Sequence, residues 1–379
     1  MNNLNDLELK DLNVLIRVDY NVPIENRRVV DNYRIKESIP TIKHCLEQGA
    51  AVILMSHLGR PKNDKDLEYS LEPVFFELEE FFDNEIFFSG DCISEQTVNF
   101  SNELMPGEIH LLENLRFHSE EKRNSEKFAE QLSQHADIYI NDAFGVSHRK
   151  HASNDAILNY FDSEDIAYGK LIEKEIKYLN QIVESPKKPF TVIMGGAKID
   201  DKILMMDRII EEADNILIGG KMAFSFLKAC NENIGGVSID QENVNISKEI
   251  IKTAKKKNVN IYLPKDFVCA NDINNLEKWD IKPLELLEQN DLGFDIGPET
   301  TYEYGAIIKE SKSILWNGPM GVFEKNQFAT GTDSIATDVG IVKEKGGVVV
   351  AGGGDTASAV NHSNLKKNFS HISTGGGAS

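Results

Sequence analysis

The chain has 379 residues, of which 41% are hydrophobic and 27% charged, a composition typical of a folded globular protein. This length predicts two domains. The formal net charge of −20 repels DNA, RNA and anionic lipid, so we expect neither a nucleic-acid nor a membrane partner. The polar start MNNLNDLELKDLN is not typical of a signal peptide, and the predicted location is cytoplasmic. The four cysteines form no C-x-x-C pair, which predicts free thiols.

Short runs rich in β-branched residues alternate along the chain with amphipathic segments. Most runs are apolar throughout, as in parallel strands that are covered on both faces. The predicted strands are Val14–Tyr20, Ala51–Ser56, Ile109–Asn114, Ile138–Asp142, Phe190–Met194, Asn215–Ile218, Val259–Leu263, Ser313–Trp316, Gly347–Ala351 and His371–Thr374. The predicted helices between them are Ile35–Gln48, Leu71–Phe82, Glu126–Ser133, Lys202–Ala213, Ala223–Ala229 and Ile246–Lys257. This alternation predicts the α/β class with doubly wound parallel sheets.

A domain boundary is predicted near the middle of the chain. Residues 168–184 read YGKLIEKEIKYLNQIVE, a strongly helical stretch, and Pro186 and Pro189 close it before the next strand. We therefore expect two Rossmann-like domains, 1–168 and 186–379, joined by a hinge helix over 169–185. Ligands of such sheets bind at the carboxyl ends of the strands.

Basic side chains recur just after the strand ends of the first half, although this half is acidic overall. Guanidinium groups donate bidentately to carboxylate and phosphate, so several of them gathered from different loops predict a phosphoanion pocket. Asp19 and Asn21 would add acceptors for substrate hydroxyls, and Asp19 could equally be the structural partner of an arginine. The basic residues are Arg34, His57, Arg60, Arg116, His148, Arg149 and His151.

Glycine loops follow the strands of the second half. They read MGGAKIDDK from Met194, IGGKM from Ile218, GGGDT from Gly352, and GGG from Gly375. Glycine permits a close backbone approach to a ligand, and the amides of a following helix start can hold phosphate. Lys198 and Lys202 are four residues apart and would share a face if a helix begins there. Asp355 is a hard oxygen ligand that suits magnesium.

The same loop carries a competing motif. Residues 352–357, GGGDTA, satisfy the dinucleotide fingerprint G-x-G-x-x-A after a strand. A Rossmann unit also needs an acidic ribose ligand about 20 residues further on, and no acidic residue follows Asp355. No Walker A sequence is present, so a bound nucleotide would not lie in a P-loop.

Taken together, these blocks resemble the phosphoglycerate kinase family. RVDYNVP, DNYRI, SHLGRP, LLENLRF, NDAFG–HRKHAS, GGAK–DK, LGFDIGPET, WNGPMGVFE, GGGDT and HISTGGGAS occur in that family's order and spacing, from Arg17 to Ser379. The resemblance implies reversible phosphoryl transfer between ATP and 3-phosphoglycerate, giving ADP and 1,3-bisphosphoglycerate, in a monomer that uses Mg²⁺. The active site would lie in the cleft between the domains.

The resemblance also implies roles for individual residues. The first domain would bind 3-phosphoglycerate, and the second would bind the magnesium nucleotide, with Glu324 on the ribose and Asp355 on the metal. The substrate residues would be Asp19, Asn21, Arg34, His57, Arg60, Arg116 and Arg149. The nucleotide residues would be Lys198, Lys202, Gly293, Asn317, Glu324, Gly352, Gly353, Gly354, Asp355 and Thr356.

The chemistry expected from the residues agrees with this resemblance. A carboxylate acceptor is already ionised at neutral pH and needs no general base, which leaves alignment and charge neutralisation to the protein. We assign this catalytic work to Arg34, Lys198 and Lys202, with the helix-start amides of Gly354 and Gly377.

Two departures from the family pattern and two other functions stay open at this point. Lys221 stands where the family usually has a third glycine, near the expected adenine pocket. The family normally continues past GGGAS with a further helix, whereas this sequence ends at Ser379. The alternatives are a nicotinamide-dependent dehydrogenase that uses GGGDTA, and a non-catalytic binding protein of the same fold.

Overall fold

The chain folds into two compact units, one formed by residues 2–176 and the other by residues 177–375. The computed structural model describes residues 2–62, 66–197, 199, 202–274, 278–363 and 365–375, without the side chain of residue 204. The division falls inside helix Lys170–Val183. This helix is the predicted connector, although Tyr168, predicted to begin it, is the last residue of a strand. The domain limits at 168 and 186 stay predictions.

The first unit is built on a seven-stranded parallel sheet. Its strands are β1 (Asn2–Asn3), β2 (Asn13–Arg17), β5 (Ala51–Met55), β6 (Ile86–Ser89), β7 (Ile109–Leu112), β8 (Ile138–Asn141) and β9 (Ile166–Tyr168). A hairpin of β3 (Ile24–Glu25) and β4 (Arg28–Val29) follows β2. The helices are α1 (Tyr33–Glu47), α2 (Glu72–Glu79), α3 (Glu95–Asn102) and α4 (Glu126–Ser133), and α5 (Lys170–Val183) begins in this unit and ends in the second.

Both faces of this sheet are covered by apolar side chains. Along β5, Val52 and Leu54 pack into one hydrophobic cluster, while Ile53 and Met55 pack into the other. The alternation explains why β5 is apolar throughout, since each face of a doubly covered sheet needs its own core. The strand order is β1-β9-β8-β2-β5-β7-β6, so the chain direction across the sheet reverses between β2 and β8.

The second unit contains a six-stranded parallel sheet of order β12-β11-β10-β16-β17-β18. Its strands are β10 (Phe190–Met194), β11 (Asn215–Ile218), β12 (Asn260–Tyr262), β16 (Ser313–Asn317), β17 (Val348–Gly352) and β18 (His371–Ile372). Its helices are α6 (Ile203–Ile209), α7 (Ala223–Ala229), α8 (Gln241–Lys256), α9 (Pro298–Glu310), α10 (Thr330–Glu344) and α11 (Gly354–His362). Here the reversal falls between β10 and β16.

The predicted α/β class with two doubly wound parallel sheets is confirmed, with two additions, of which the β3–β4 hairpin is one. An antiparallel sheet of order β14-β13-β15 is inserted in the second unit and was not predicted. Its strands are β13 (Asp266–Ala270), β14 (Trp279–Pro283) and β15 (Leu292–Ile296). Strand β14 reads WDIKP and is partly exposed, so it lacks the continuous apolar run of a doubly covered strand.

The cysteines are free thiols, as predicted, with Cys230 exposed and the other three buried. Among the described residues, no helix is long and apolar enough to span a membrane.

Candidate functional site

In the first unit, the predicted anion-binding residues lie on the loops beside the point where the sheet reverses. Asp19 follows β2, His57 and Arg60 follow β5, Arg116 lies in a short 3-10 helix after β7, and Arg149 follows β8. Four adjacent strands thus deliver these side chains to one edge of the sheet, the position at which doubly wound sheets bind ligands.

Asp19 and Arg34 form an ion pair. Arg34 Nη1 donates to Asp19 Oδ2 over 2.8 Å, and Asp19 is almost fully buried. Of the two roles predicted for Asp19, the structure therefore shows that of the structural partner of an arginine. Asn21 Oδ1 accepts from the Gly59 amide over 2.8 Å, which fixes the loop that carries Arg60.

His57 is buried with a defined protonation state. Arg17 Nη2 lies 3.1 Å from His57 Nδ1, and a guanidinium can only donate, so Nδ1 is the acceptor and Nε2 carries the proton. Burial, and then the charges of Arg17 and Arg116, hold the pKa of His57 well below its usual range. His57 is therefore a neutral hydrogen-bond donor. Arg17, which also donates to Ser153 Oγ over 2.9 Å, was not predicted as a site residue.

The guanidinium of Arg116 lies close to other positive charges. Its Nη1 donates to the Gly59 carbonyl over 2.6 Å, while its buried Nε has no hydrogen-bond partner among the described residues. Burial, followed by the charges of Arg149 and Arg17, lowers the pKa of Arg116 to about 10. Positive charges act on Lys122 as well, since its pKa is lowered by desolvation and then by the charges of Arg116, Arg60 and Arg149.

No carboxylate within the described ranges forms an ion pair with Arg60, Arg116, Lys122 or Arg149. These four residues are called the basic cluster below. Unpaired like charges repel one another, and a bound phosphate or carboxylate would relieve that repulsion and give Arg116 Nε its missing acceptor. Lys122 was missed because it lies five residues beyond the recognised block LLENLRF.

In the second unit, a cavity of about 500 Å³ opens beside the ends of β10 and β16. Gly293, Glu324 and Asp355 line it, as predicted, and so does Lys221. Apolar side chains that were not predicted form much of the remaining wall: Val237, Ile273, Leu292, Phe294, Val322 and Phe323. An apolar wall with a few polar groups at one side is typical of a small-molecule site.

The glycine loop GGGDT forms one side of this cavity. Gly352 ends β17, and Gly353 has φ 88°, a left-handed conformation that a side chain would strain. Helix α11 then begins at Gly354, where an added Cβ would meet nothing within 4 Å. Gly354 and Asp355, the first two residues of the helix, are exposed, so the start of α11 is accessible from the cavity side for anion binding. Thr356 is buried, and its hydroxyl oxygen accepts from the Gly318 amide over 2.6 Å.

Lys202 occupies a structural position between two loops. Its ammonium donates to the carbonyls of Gly195 and Asn317, over 2.6 and 2.7 Å, and so joins the ends of β10 and β16. Helix α6 begins at Ile203, one residue after the predicted start. The Asn317 side chain lies against Gly353, since a Cβ there would be 3.2 Å from Asn317 Oδ1.

Two of the predicted catalytic residues, Lys198 and Gly377, lie outside the described residues. The phosphate-facing roles of Arg34, Lys202 and Gly354 stay predictions, as do the substrate and nucleotide roles of the other residues.

Comparison with known proteins identifies the family. The phosphoglycerate kinase family model matches residues 4–379. The chain is 43% identical to the phosphoglycerate kinase of Finegoldia magna over 380 residues, which covers 99% of this chain and 94% of that protein. It is 42% identical to the enzyme of Chlorobium phaeobacteroides, with the same coverage.

Solved structures agree with the sequence comparison. The phosphoglycerate kinase of Coxiella burnetii matches with a TM-score of 0.85 and 32% identity, over all of this chain and 94% of that one. The enzyme of Pyrococcus horikoshii matches with a TM-score of 0.82 and 29% identity, with the same coverage. By sequence over nearly its whole length, and by fold, this chain belongs to the phosphoglycerate kinase family.

Proposed function

We propose that this chain transfers a phosphoryl group reversibly between ATP and the carboxylate of 3-phosphoglycerate, giving ADP and 1,3-bisphosphoglycerate. The observation that carries the proposal is the basic cluster, in which neighbouring cations form no ion pair with any carboxylate of the described residues, in a chain whose net charge is −20. Such a local reversal of charge favours a small, multiply charged anion. Family membership supports this proposal over a nicotinamide-dependent dehydrogenase.

In the first unit, the proposed roles follow from hydrogen-bonding capacity. Arg60, Arg116 and Arg149 bind the phosphate of 3-phosphoglycerate, while the neutral Nε2–H of His57 donates to an uncharged or anionic oxygen. His57 does not act as a base, because its Nδ1 is already occupied by Arg17 and its pKa is low. No base is needed, since the acceptor carboxylate is ionised at neutral pH.

In the second unit, the nucleotide base and ribose occupy the apolar cavity, with Glu324 beside the ribose. The phosphates lie toward Gly353 and Gly354, which form the N-cap and the first residue of α11. Helix-start amides stabilise negative charge there without reorganisation during transfer.

The residues present also fit a magnesium ion. Asp355 is exposed on the cavity wall, and no ion pair within the described ranges engages its carboxylate. Magnesium is usually held by one or two protein carboxylates together with substrate phosphates and water, so a single aspartate suffices. When bound, the ion would neutralise phosphate charge. The chain's own residues bind and orient the two substrates.

Transfer further requires that the acceptor carboxylate and the γ-phosphate of ATP are aligned in line, away from water. We infer that Arg34 then stabilises the charge of the moving group. Exclusion of water from the reacting groups would also protect the acyl phosphate product from hydrolysis.

Separate binding measurements test the assignment of one substrate to each unit. Arg149→Gln should weaken 3-phosphoglycerate binding by roughly 10- to 100-fold, the loss of a charged hydrogen bond, and leave MgADP binding unchanged. Asp355→Asn should weaken the magnesium-dependent part of ADP binding and leave 3-phosphoglycerate unaffected. The matched control is Arg123→Gln, an exposed arginine paired with Glu120. If Arg149→Gln and Arg123→Gln behave alike, the basic cluster is not the substrate site.

A further inference from the structure

A second cluster of chemically active side chains lies in the first unit, apart from the residues assigned to substrate. Asp91, Cys92 and His118 each present one potential ligand atom, and these atoms all lie within 4.8 Å of one another. Asp91 and Cys92 follow β6, and His118 follows the 3-10 helix after β7. We propose that these three residues bind a zinc-class divalent ion.

The donor set distinguishes zinc from magnesium and calcium. A thiolate, an imidazole nitrogen and a carboxylate oxygen are all common zinc ligands, whereas magnesium and calcium take oxygen ligands almost alone. Three protein ligands leave the fourth tetrahedral position to water or an external ligand, which is the arrangement of an open zinc site.

The Asp91–His118 pair requires only a small adjustment. His118 Nε2 and Asp91 Oδ1 share a hydrogen bond of 2.8 Å. Two ligand atoms at about 2.1 Å from a tetrahedral zinc are roughly 3.4 Å apart, so these atoms must separate by about 0.6 Å as the ion replaces the shared proton. The Asp91 and His118 side chains are 37% and 27% exposed, which leaves them room to move.

The surrounding contacts orient the ligands and leave a path for the ion. The Cys92 amide donates to Asp91 Oδ1 over 2.8 Å, and the Cys92 carbonyl accepts from His135 Nε2 over 3.0 Å. The His118 ring packs on Phe128, with centroids 5.3 Å apart. Asp91 lies on the wall of a surface groove of about 1020 Å³, while Cys92 is fully buried behind it. Asp91 and His118 are both partly exposed, so an ion would reach the buried Cys92 past these two side chains.

Cobalt(II) absorption tests this proposal on the nucleotide-free full chain. Sulfur-to-cobalt charge transfer in the ultraviolet reports a thiolate ligand, and intense visible d–d bands report tetrahedral geometry. All proteins carry Cys230→Ser, so that the exposed thiol does not contribute. We expect one Co²⁺ per chain with both signals, displaced by Zn²⁺, and a melting temperature that rises when Zn²⁺ is added.

The variants identify the ligands. Cys92→Ser and His118→Gln should each lower Co²⁺ affinity by about 100-fold or more. Removal of an outer-shell partner already costs up to about 100-fold, and removal of a direct ligand should cost at least as much. The control Cys45→Ser, at another buried thiol of the same unit, should keep both signals. Should Cys92→Ser not fold, the partly exposed His118 still provides the decisive variant. Absence of charge transfer at saturating Co²⁺, or its persistence in folded His118→Gln, would overturn the proposal.

Discussion

Asp142 and Gly169 lie in direct contact, because a Cβ added at Gly169 would stand only 2.2 Å from Asp142 Oδ1. The same oxygen accepts from the amides of Leu171 and Ile172, over 2.9 and 3.3 Å. A buried carboxylate that follows β8 thus caps the first turn of α5, the helix that passes from one unit into the other. Glycine at 169 is what allows this approach.

Gly169→Ala should therefore lower the free energy of unfolding by about 1–3 kcal/mol, the range for overpacking a buried contact. The carboxylate or the start of α5 has to move to accommodate the methyl group. The matched control is Gly90→Ala, where a Cβ meets nothing within 4 Å, and its stability should change by less than about 0.5 kcal/mol. Denaturant unfolding of both variants measures the difference, and equal effects would contradict the proposed contact.

The Asp142 carboxyl also predicts a dependence of stability on pH. Burial raises its pKa from 3.8 to about 7. A carboxyl whose pKa is raised on folding binds its proton more tightly in the folded state, so it favours folding fully below about pH 4. That contribution is lost as the pH rises through about 7. In Asp142→Asn, whose amide does not titrate, this loss should be absent.

The slope of stability against pH gives the measurement. Between pH 4 and 7, the unfolding free energy of the wild type should fall relative to that of Asp142→Asn by up to about 4 kcal/mol. Slopes that run parallel across this window would show that Asp142 is ionised at neutral pH. A constant difference in unfolding free energy between the wild type and Asp142→Asn does not affect this comparison, because only the slopes against pH are compared.

A buried hydrogen-bond chain in the first unit predicts a third effect on stability. Ser101 Oγ lies 2.8 Å from His110 Nδ1 and 2.7 Å from His135 Nδ1. His135 Nε2 donates to the Cys92 carbonyl, so its Nδ1 accepts from the serine hydroxyl, and neutral His110 donates to the serine oxygen in turn. Burial lowers the pKa of His110 to about 3.

Ser101→Ala removes the link between the two imidazoles and leaves both Nδ1 atoms without this partner. We expect a loss of about 2–6 kcal/mol, since each of the two unsatisfied buried polar groups costs about 1–3 kcal/mol. Ser133→Ala, at a hydroxyl on an exposed helix end, is the control and should change little. Thermal and urea unfolding would both report the effect, and a loss below 1 kcal/mol would contradict the chain as described.

We expect the basic cluster to lower the stability of the ligand-free protein and to favour the binding of 3-phosphoglycerate. Arg149 is exposed and forms no ion pair within the described ranges, and its charge opposes that of Arg116. Arg149→Gln should therefore leave the ligand-free protein as stable as the wild type, or more stable by up to about 1 kcal/mol. Titration with 3-phosphoglycerate should raise the melting temperature of the wild type more than that of the variant. A variant less stable without ligand would indicate that Arg149 is structurally paired.

The sequence predicted the parallel sheets better than the inserted antiparallel one. Most of the ten predicted strands were recognisable because a strand covered on both faces is apolar throughout, as in AVILM of β5. Strand β14 is partly exposed and reads WDIKP, and β9 has only three residues, so neither carries that signal. The connector helix was recognisable from its amphipathic pattern, although its start was placed two residues early.

For the candidate site, residue chemistry predicted charged side chains better than apolar walls. Arg116 and Asp355 stand out because a basic or acidic group follows a strand end. Val237 and Ile273 line the cavity of the second unit from loops, and an isolated apolar residue in a loop has no distinguishing pattern. Arg17 is the last residue of β2 and lies inside the predicted strand Val14–Tyr20, so it was interpreted as a strand residue, and only the fold brings it to His57.

The most direct test of the proposed function is product formation by the purified chain. ATP, Mg²⁺ and 3-phosphoglycerate are incubated with hydroxylamine, which traps an acyl phosphate as the hydroxamate, and ADP is measured in parallel. We predict ADP and hydroxamate in equal amounts, both dependent on 3-phosphoglycerate, with turnover strongly reduced in Arg34→Ala. Binding of both substrates without hydroxamate, or ADP released only with inorganic phosphate, would contradict phosphoryl transfer to the carboxylate.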